Sequence, residues 1–410
     1  MKRKITLARA LCIFLPIMIV LCIFTVQLCY RFMYLPAQGQ YKALAAELSQ
    51  KYEETDQLII DLKEIKELFD GKYVGELEEE QIIEQVLDAY VQATGDRYAK
   101  YYTAKEYEEQ QASYEGQGVG VGMRVFITQD GRILVAYVEK DSPAHKAGIL
   151  PGDEVIAVGD EKVSEIGTDK ASELMLGQEG SEAVFTVKNA DGQREVSITR
   201  QAVSYSTVLY DLENGMGYVR ILSFGKNTPK EFSKAVDALQ RAGAKALIFD
   251  VRQNGGGLLD SVHEMLDYLI EDGKEGAERV VAVTVDNKQN EKQYVCGDEH
   301  SVDLPMAVLV DGQTASASEL FAAALRDYEM AVIVGQTTYG KGVAQTTYLL
   351  DDGSAVRLTT ALYNPPSGEN YDGKGVEPSI SASSEGLNIY LTPHSEDPVY
   401  IAAQKELNNK

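Results

Sequence analysis

Two short segments carry the side chains best suited to nucleophilic or acid–base chemistry. Ser316 lies in the run Thr-Ala-Ser-Ala-Ser-Glu at 314–319, between an apolar stretch predicted as a strand and a predicted helix. A serine in such a turn presents its hydroxyl while the first N–H groups of the helix stay free. Lys341 stands between two glycines, and it can act as a general base only if burial lowers its pKa, by up to ~3–5 units. The alternative is that the hydroxyls of the 314–319 run have only a structural role in the turn, with Ser318 as the helix N-cap.

A third segment, at 250–257, reads Asp-Val-Arg-Gln-Asn-Gly-Gly-Gly and follows another apolar strand. Consecutive glycines allow the backbone to approach a ligand closely. Their N–H groups would suit an oxyanion hole, which stabilises the negative oxygen of a tetrahedral intermediate. The alternative is a turn that binds nothing.

Several other chemistries are excluded or disfavoured. There is no Gly-x-Ser-x-Gly elbow, which argues against an α/β-hydrolase. The four histidines belong to no triad motif, and no Cys-x-x-Cys or His-Glu-x-x-His occurs, so neither a metal site nor a cofactor is predicted. The run from Gly335 to Lys341 mimics a P-loop. An NTPase is disfavoured, however, because Gly342 stands where Ser or Thr should bind magnesium and 343–349 is β-prone rather than helical.

Together the three segments resemble the C-terminal processing peptidases, or tail-specific proteases. The matching signatures are Asp-x-Arg-x-Asn-x-Gly-Gly, Thr-Ala-Ser-Ala-Ser-Glu and Gly-Lys-Gly-x-x-Gln, in that order. Further matches lie at 95–101, 358–368 and 375–378, so the resemblance covers roughly 55–405. It implies a serine endopeptidase with catalytic Ser316, general-base Lys341 and a Lys-orienting Gln345. The implied oxyanion donors are the backbones of Gly256 and Ala317.

A second resemblance concerns 113–203. Ser-Pro-Ala-x-x-Ala-Gly-Ile-x-Pro-Gly-Asp, starting at Ser142, is similar to PDZ domains of bacterial proteases. It implies that a peptide C-terminus is captured by strand addition, with its groove lined by Val119, Gly120 and Val121. The alternative is that the glycines here only form a tight turn. Relatives often carry an Arg that couples this domain to the active site; Leu176 stands at that position.

The periodicity of the chain predicts the elements that position these residues. Apolar residues recur at helical spacing in 58–90, which favours a packing arm or a dimer element. Short strands separated by turn signals predict a small β-barrel capped by two helices over the PDZ-like stretch. From Gly217 strands and helices alternate, as in an α/β layer fold. The predicted strands include 246–250, 306–310 and 331–334, and the predicted helices 229–242, 258–270 and 318–327.

The N-terminus predicts a membrane anchor. Between Arg9 and Arg31 lie 21 residues without a charge, long enough to span a bilayer as a helix. Basic residues precede them, so we expect a single-pass protein of the bacterial cell membrane with its catalytic part on the extracytoplasmic side. The alternative, a cleaved signal peptide, is disfavoured by the length of the apolar run and the missing cleavage site. Only Cys296 lies outside this region, so the exported part can form no internal disulfide.

The predicted fold class is therefore multidomain α/β. The predicted domains are a cytoplasmic stub and transmembrane anchor (1–36), a helical arm (37–112), a PDZ domain with a β-barrel and two helices (113–203), a mixed α/β protease core (204–385) and a C-terminal helical segment (386–410). The net charge of −24 argues against nucleic acid as a partner. The expected partners are protein or peptide substrates with free C-termini, the lipid bilayer, and a second copy of the chain in a homodimer or larger homo-oligomer. A catalytically silent PDZ scaffold remains a competing function.

Overall fold

The computed structural model describes residues 57–128, 130–271, 279–297 and 300–409. The chain divides into two compact units, one that ends at Ile82 and one that comprises Ile83–Lys410. Every residue of the predicted catalytic and peptide-binding sites belongs to the second unit. In the first unit a helix occupies 57–72, as the apolar spacing predicts.

Helices and strands are numbered in chain order. The helices are α1 (57–72), α2 (Glu79–Ala93), α3 (Ala104–Tyr114), α4 (Pro143–Lys146), α5 (Val163–Met175), α6 (Thr228–Arg241), α7 (Leu259–Leu269), α8 (Ala317–Asp327) and α9 (Pro398–Leu407). The strands are β1 (Lys100–Tyr102), β2 (Gln117–Gly120), β3 (Met123–Ile127), β4 (Ile133–Val138), β5 (Glu154–Val158), β6 (Glu161–Lys162), β7 (Glu182–Asn189), β8 (Gly192–Thr199), β9 (Gln201–Ser204), β10 (Val208–Glu213), β11 (Met216–Ile221), β12 (Ala246–Asp250), β13 (Val280–Asp286), β14 (Glu291–Val295), β15 (Met306–Val310), β16 (Ala331–Gly335), β17 (Val343–Leu349), β18 (Ala355–Asn364) and β19 (Ile380–Ser381).

The protease core is built on a six-stranded sheet in the order β10-β11-β12-β15-β16-β19. Only β10 runs antiparallel to its neighbour, and the other pairs are parallel. Side chains alternate between the two faces of each strand. Leu247 and Phe249 therefore pack with α6, α7 and α8 on one face, while Ala246 and Ile248 pack with α9 on the other. Such double coverage explains the uninterrupted apolar runs that made these strands predictable.

A second sheet supplies the other wall of the cleft described below. Its long central strand β18 pairs with β17, with β1 and with β13, all antiparallel. Strand β1 comes from the segment before the PDZ-like region, with Lys100 opposite Arg357. The sheet thus brings residues near 100 beside residues near 350.

The PDZ-like region folds as expected around a sheet in the order β3-β4-β5-β7-β8. Ile133, Val155 and Phe185 are fully or almost fully buried in its core. Helix α5 spans Val163–Met175 and is kinked at Gly167 (φ 80°). A separate pair, β2 with β9, joins the two ends of the region.

The predicted fold class is wrong on one point, the transmembrane helix. No helix within 57–128, 130–271, 279–297 or 300–409 has the length and apolar character needed to cross a bilayer. Even α1 carries charges such as Asp61 and Lys63, which hydrocarbon excludes. The predicted anchor, 1–36, lies outside the described residues. The fold is accordingly a mixed α/β core with a PDZ-like domain.

Candidate active site

Ser316 occupies a strained turn between β15 and α8. Its backbone has φ 59° and ψ −121°, a region that side-chain-bearing residues rarely adopt. The turn is fixed on both sides, since the N–H of Ala315 donates to the Asn254 carbonyl at 3.0 Å and the N–H of Ser316 donates to Glu319 Oε2 at 2.8 Å. Strain that the surroundings hold in place is typical of functional sites.

Glu319 joins the Ser316 turn to the Lys341 loop. Its carboxylate is fully buried. Besides the Ser316 N–H, it accepts the N–H of Lys341 at 2.8 Å, the N–H of Gly340 at 2.7 Å and the hydroxyl of Thr338. One side chain thus positions both predicted catalytic residues through their backbones. Sequence reasoning missed this role, although a Glu three residues after a helix-starting Ser is the capping-box pattern.

Ser316 and Lys341 line one cleft of about 530 Å³ between the core and the second sheet. Burial lowers the pKa of the Lys341 amine, and the positive charges of Arg357 and Arg97 lower it further against the opposing charges of Asp96 and Glu319. This is the direction a general base requires.

The amine of Lys341 lies over the ring of Tyr98, 4.5 Å from its centroid. Within the part of the chain that the structure describes, it makes no hydrogen bond, either to the Ser316 hydroxyl or to Gln345. The carboxamide of Gln345 instead donates to the Thr359 hydroxyl at 3.2 Å and to the Val343 carbonyl at 3.3 Å. The orienting role of Gln345 therefore stays a prediction.

Tyr363 is a further residue at the site. Its hydroxyl donates to the Lys341 carbonyl at 2.7 Å and also interacts with the Ser316 side chain. Burial raises the pKa of this phenol, so it remains protonated and available as a donor. In the sequence, Tyr363 was notable only as part of the family match at 358–368.

Segment 95–98 reaches the site from the region before the PDZ-like domain. Asp96 accepts both the N–H (2.7 Å) and the hydroxyl (3.0 Å) of Thr359, the residue to which Gln345 donates. Tyr98, two residues on, supplies the ring under Lys341. The surroundings of the predicted base thus depend on a segment more than two hundred residues away in sequence.

The glycine turn lies directly against Ser316. A Cβ on Gly256 would stand 2.8 Å from the Ser316 Cβ and 2.9 Å from the Ala317 nitrogen, so only glycine fits. The N–H of Gly256 donates to the Asn254 side chain at 2.9 Å, which differs from the predicted oxyanion role. Among the described residues, the N–H groups of Gly257 and Ala317 have no hydrogen-bond acceptor.

The signature residues Asp250 and Arg252 do not face this cleft. Arg252 is buried and binds Asp250 (2.6 Å) and Asp397 (2.7 Å), which fastens the start of α9 to the end of β12. Although burial opposes it, Arg252 and Arg220 hold the pKa of Asp250 well below its usual range. These residues stabilise the core that carries the Ser316 turn.

The three predicted peptide-binding residues lie at the start of the PDZ-like region, and their role in binding stays a prediction. Val119 and Gly120 belong to β2, which is already paired with β9, and Val121 is buried. A Cβ on Gly120 would lie 2.7 Å from the hydroxyl of Tyr205, so a larger residue here would require the Tyr205 side chain to shift. The PDZ-like sheet has two edge strands among the described residues, β3 and β8.

The loop that mimics a P-loop continues into strand β17, not into a helix. A phosphate-binding helix N-terminus is therefore missing after Lys341.

Comparison with known proteins agrees with this architecture. The sequence profile of peptidase family S41 matches residues 215–382, and a PDZ domain profile matches 134–189. The chain is 33% identical over 328 residues to the carboxy-terminal processing protease CtpA of Bacillus subtilis, covering 78% of this chain and 68% of that one.

Two solved structures share the fold. The photosystem II D1 C-terminal processing protease aligns with a TM-score of 0.50 at 24% identity, over 83% of this chain and 90% of that one. A putative S41 protease from Bacteroides fragilis aligns with a TM-score of 0.58 at 17% identity, over 78% and 90%. On the strength of its sequence relatives, the chain belongs to peptidase family S41 and is a serine-type C-terminal processing protease with a PDZ domain.

Proposed function

We propose that the chain cleaves peptide bonds with a Ser316–Lys341 dyad. One observation carries this proposal: both side chains line the same cleft, and both backbones are fastened to the Glu319 carboxylate. The lowered pKa of Lys341 supports its role as the base.

The reaction proceeds in two halves. Neutral Lys341 takes the proton of Ser316 while Oγ bonds to the substrate carbonyl, and the N–H groups of Ala317 and Gly257 receive the oxyanion. Collapse of the tetrahedral intermediate breaks the C–N bond, and the leaving amine takes its proton from the Lys341 ammonium. Water, deprotonated by Lys341, then adds to the acyl carbonyl, the C–Oγ bond breaks, and the Ser316 oxygen recovers its proton from the Lys341 ammonium. Arriving substrate must draw the amine from the Tyr98 ring towards Ser316.

Labelling with a fluorophosphonate probe tests the nucleophile. The wild type should be labelled and should cleave casein, Ser316→Ala should do neither, and Lys341→Ala should lose at least about a hundredfold in rate. Ser367→Ala, which removes an exposed hydroxyl elsewhere, is the matched control. Labelling of Ser316→Ala at the wild-type rate would contradict the proposal.

We also propose that the PDZ domain binds substrate C-termini along the unpaired edge of β3. Partly exposed apolar side chains of β3 and α5, among them Met123, Val125 and Ile166, border the domain core there. An added peptide strand would pair with this edge. A peptide with a free C-terminus should be cleaved faster than its amidated twin; equal rates would argue against the idea.

Self-association through α1 is the final proposal. This helix exposes Leu58, Ile59, Ile65, Leu68 and Phe69 by about half each, more apolar surface than a solitary helix normally leaves in water. Replacing Ile65 and Leu68 with Glu should shift the mass measured by light scattering towards the monomer, and an unchanged mass would refute it. The extracytoplasmic location stays a prediction from the sequence.

A further inference from the structure

The active-site cleft is lined by basic residues and by no acidic ones among the described residues, although the protein as a whole is strongly acidic. The chain has a net charge of −24. Yet no Asp or Glu is among the residues that line the described part of this cleft, whereas Lys226, Lys341 and Arg357 are. Unpaired positive charge in a low-dielectric cleft attracts anionic groups.

The three cations differ in what already neutralises them. Lys226 is paired with Glu115 at 3.0 Å. Lys341 has its pKa lowered by burial and is the proposed base. Arg357 has no carboxylate within ion-pairing distance among residues 57–128, 130–271, 279–297 and 300–409.

The guanidinium of Arg357 is held in one orientation, and its two terminal nitrogens are left free among the described residues. Its Nε donates to the Tyr98 carbonyl at 3.3 Å, and its central carbon lies 5.5 Å from the centroid of the Tyr102 ring. The two terminal nitrogens have no partner among the described residues, and neither is sealed from solvent. A fork of donors fixed in this way is preorganised for a carboxylate.

We propose that Arg357 forms a carboxylate subsite of the cleft, which selects substrates carrying an acidic group near the scissile bond. The carboxylate comes either from an Asp or Glu side chain or from the C-terminus of the peptide itself. Because the subsite belongs to the cleft assigned to catalysis, this inference rests on the proposed function and specifies its substrate class.

Cleavage profiling tests the subsite. The full-length wild type and Arg357→Gln are incubated with a peptide library, and mass spectrometry identifies the residues around each cleaved bond. For the wild type we expect one of two patterns: acidic residues enriched at one position near the cleaved bond, or cleavage at a fixed short distance from the free C-terminus. Neither pattern should be found for Arg357→Gln. A Glu/Gln peptide pair at that position should differ by about tenfold in kcat/KM for the wild type and by little for the variant. A free-acid and amide pair distinguishes the terminal carboxylate from a side chain when it is compared in the wild type and in Arg357→Gln, because a preference that arises in the PDZ domain would persist in the variant.

Two further variants distinguish direct contact between residue 357 and the substrate carboxylate from the effect of a more distant positive charge. Arg97 also carries positive charge near Lys341 but does not line the cleft and is exposed. Arg97→Gln should therefore keep the acidic preference, while Arg357→Lys should keep part of it as a point charge. The preference should also weaken as salt is added.

Binding of the same Glu/Gln pair to the Ser316→Ala variant, followed by fluorescence anisotropy, keeps this test independent of turnover. If the proposed dyad is wrong, the binding preference and its loss in the Ser316→Ala/Arg357→Gln double variant still support the subsite. Identical cleavage profiles for the wild type and Arg357→Gln, or equal binding of the Glu and Gln peptides to Ser316→Ala, would overturn it.

Discussion

The two walls of the cleft are built differently. On the core side, the Ser316 turn is bound at Ala315 and Ser316, and its neighbour Gly256 leaves no room for a side chain. On the sheet side, the Lys341 backbone is fixed, but within the described residues its amine makes no hydrogen bond and lies over the Tyr98 ring. The nucleophile is thus placed by backbone hydrogen bonds, whereas the amine of the base rests on a ring from a segment distant in sequence.

The largest effect is expected when the Glu319 carboxylate, which links the two walls, is removed. Glu319→Ala leaves buried donors of Ser316, Lys341 and Gly340 without an acceptor, and we expect a loss of roughly 3 kcal/mol or more in unfolding free energy. Thermal unfolding and fluorophosphonate labelling measure the two effects. Glu319→Gln keeps the shape of the side chain but replaces one of its two acceptor oxygens with a donor. It should therefore be more stable than Glu319→Ala yet remain poorly labelled by the fluorophosphonate. Near-normal labelling of both would show that the link is not needed.

A smaller effect is expected from the ring beneath Lys341. Tyr98→Leu removes the ring against which the Lys341 amine is positioned and should reduce kcat by up to about tenfold, or about 1.4 kcal/mol. Tyr98→Phe is a matched control, because it keeps the ring and removes only the buried phenol oxygen. It should keep full activity. Equal losses in both variants would point to the hydroxyl instead of the ring face.

The pH profile sharpens the same comparison. The charged or titratable groups around Lys341 are Arg357, Arg97, Asp96, Glu319 and Tyr98. Since activity needs the neutral amine, kcat/KM should rise with pH through its pKa. Removing positive charge in Arg357→Gln or Arg97→Gln raises that pKa and moves the rise to higher pH, more for Arg357. Asp96→Asn should move it to lower pH. A profile that none of these changes shifts would mean that another group titrates.

Local sequence predicted one wall far better than the other. The strands around 246–250 and 306–310 are apolar on both faces, and the small residues at 314–318 mark the turn, so the position of Ser316 followed from nearby residues. Tyr98 and Asp96 could be matched to a family signature but not placed, because only the pairing of β1 with β18 brings them to Lys341. The bond from Gly256 to Asn254 depends on a side-chain orientation that spacing does not encode.

The smallest expected effect concerns Tyr363, which touches both walls. Tyr363→Phe removes the bond to the Lys341 carbonyl and should cost about 1 kcal/mol of stability. Tyr328→Phe removes a similar bond, to the Val280 carbonyl at 2.9 Å, away from the cleft. If Tyr363 aligns the two catalytic residues, both variants should lose similar stability, but only Tyr363→Phe should lower kcat, by about fivefold with KM unchanged. Equal kcat values in the two variants would leave Tyr363 a purely structural role, and the alignment of the walls would then depend on Glu319 alone.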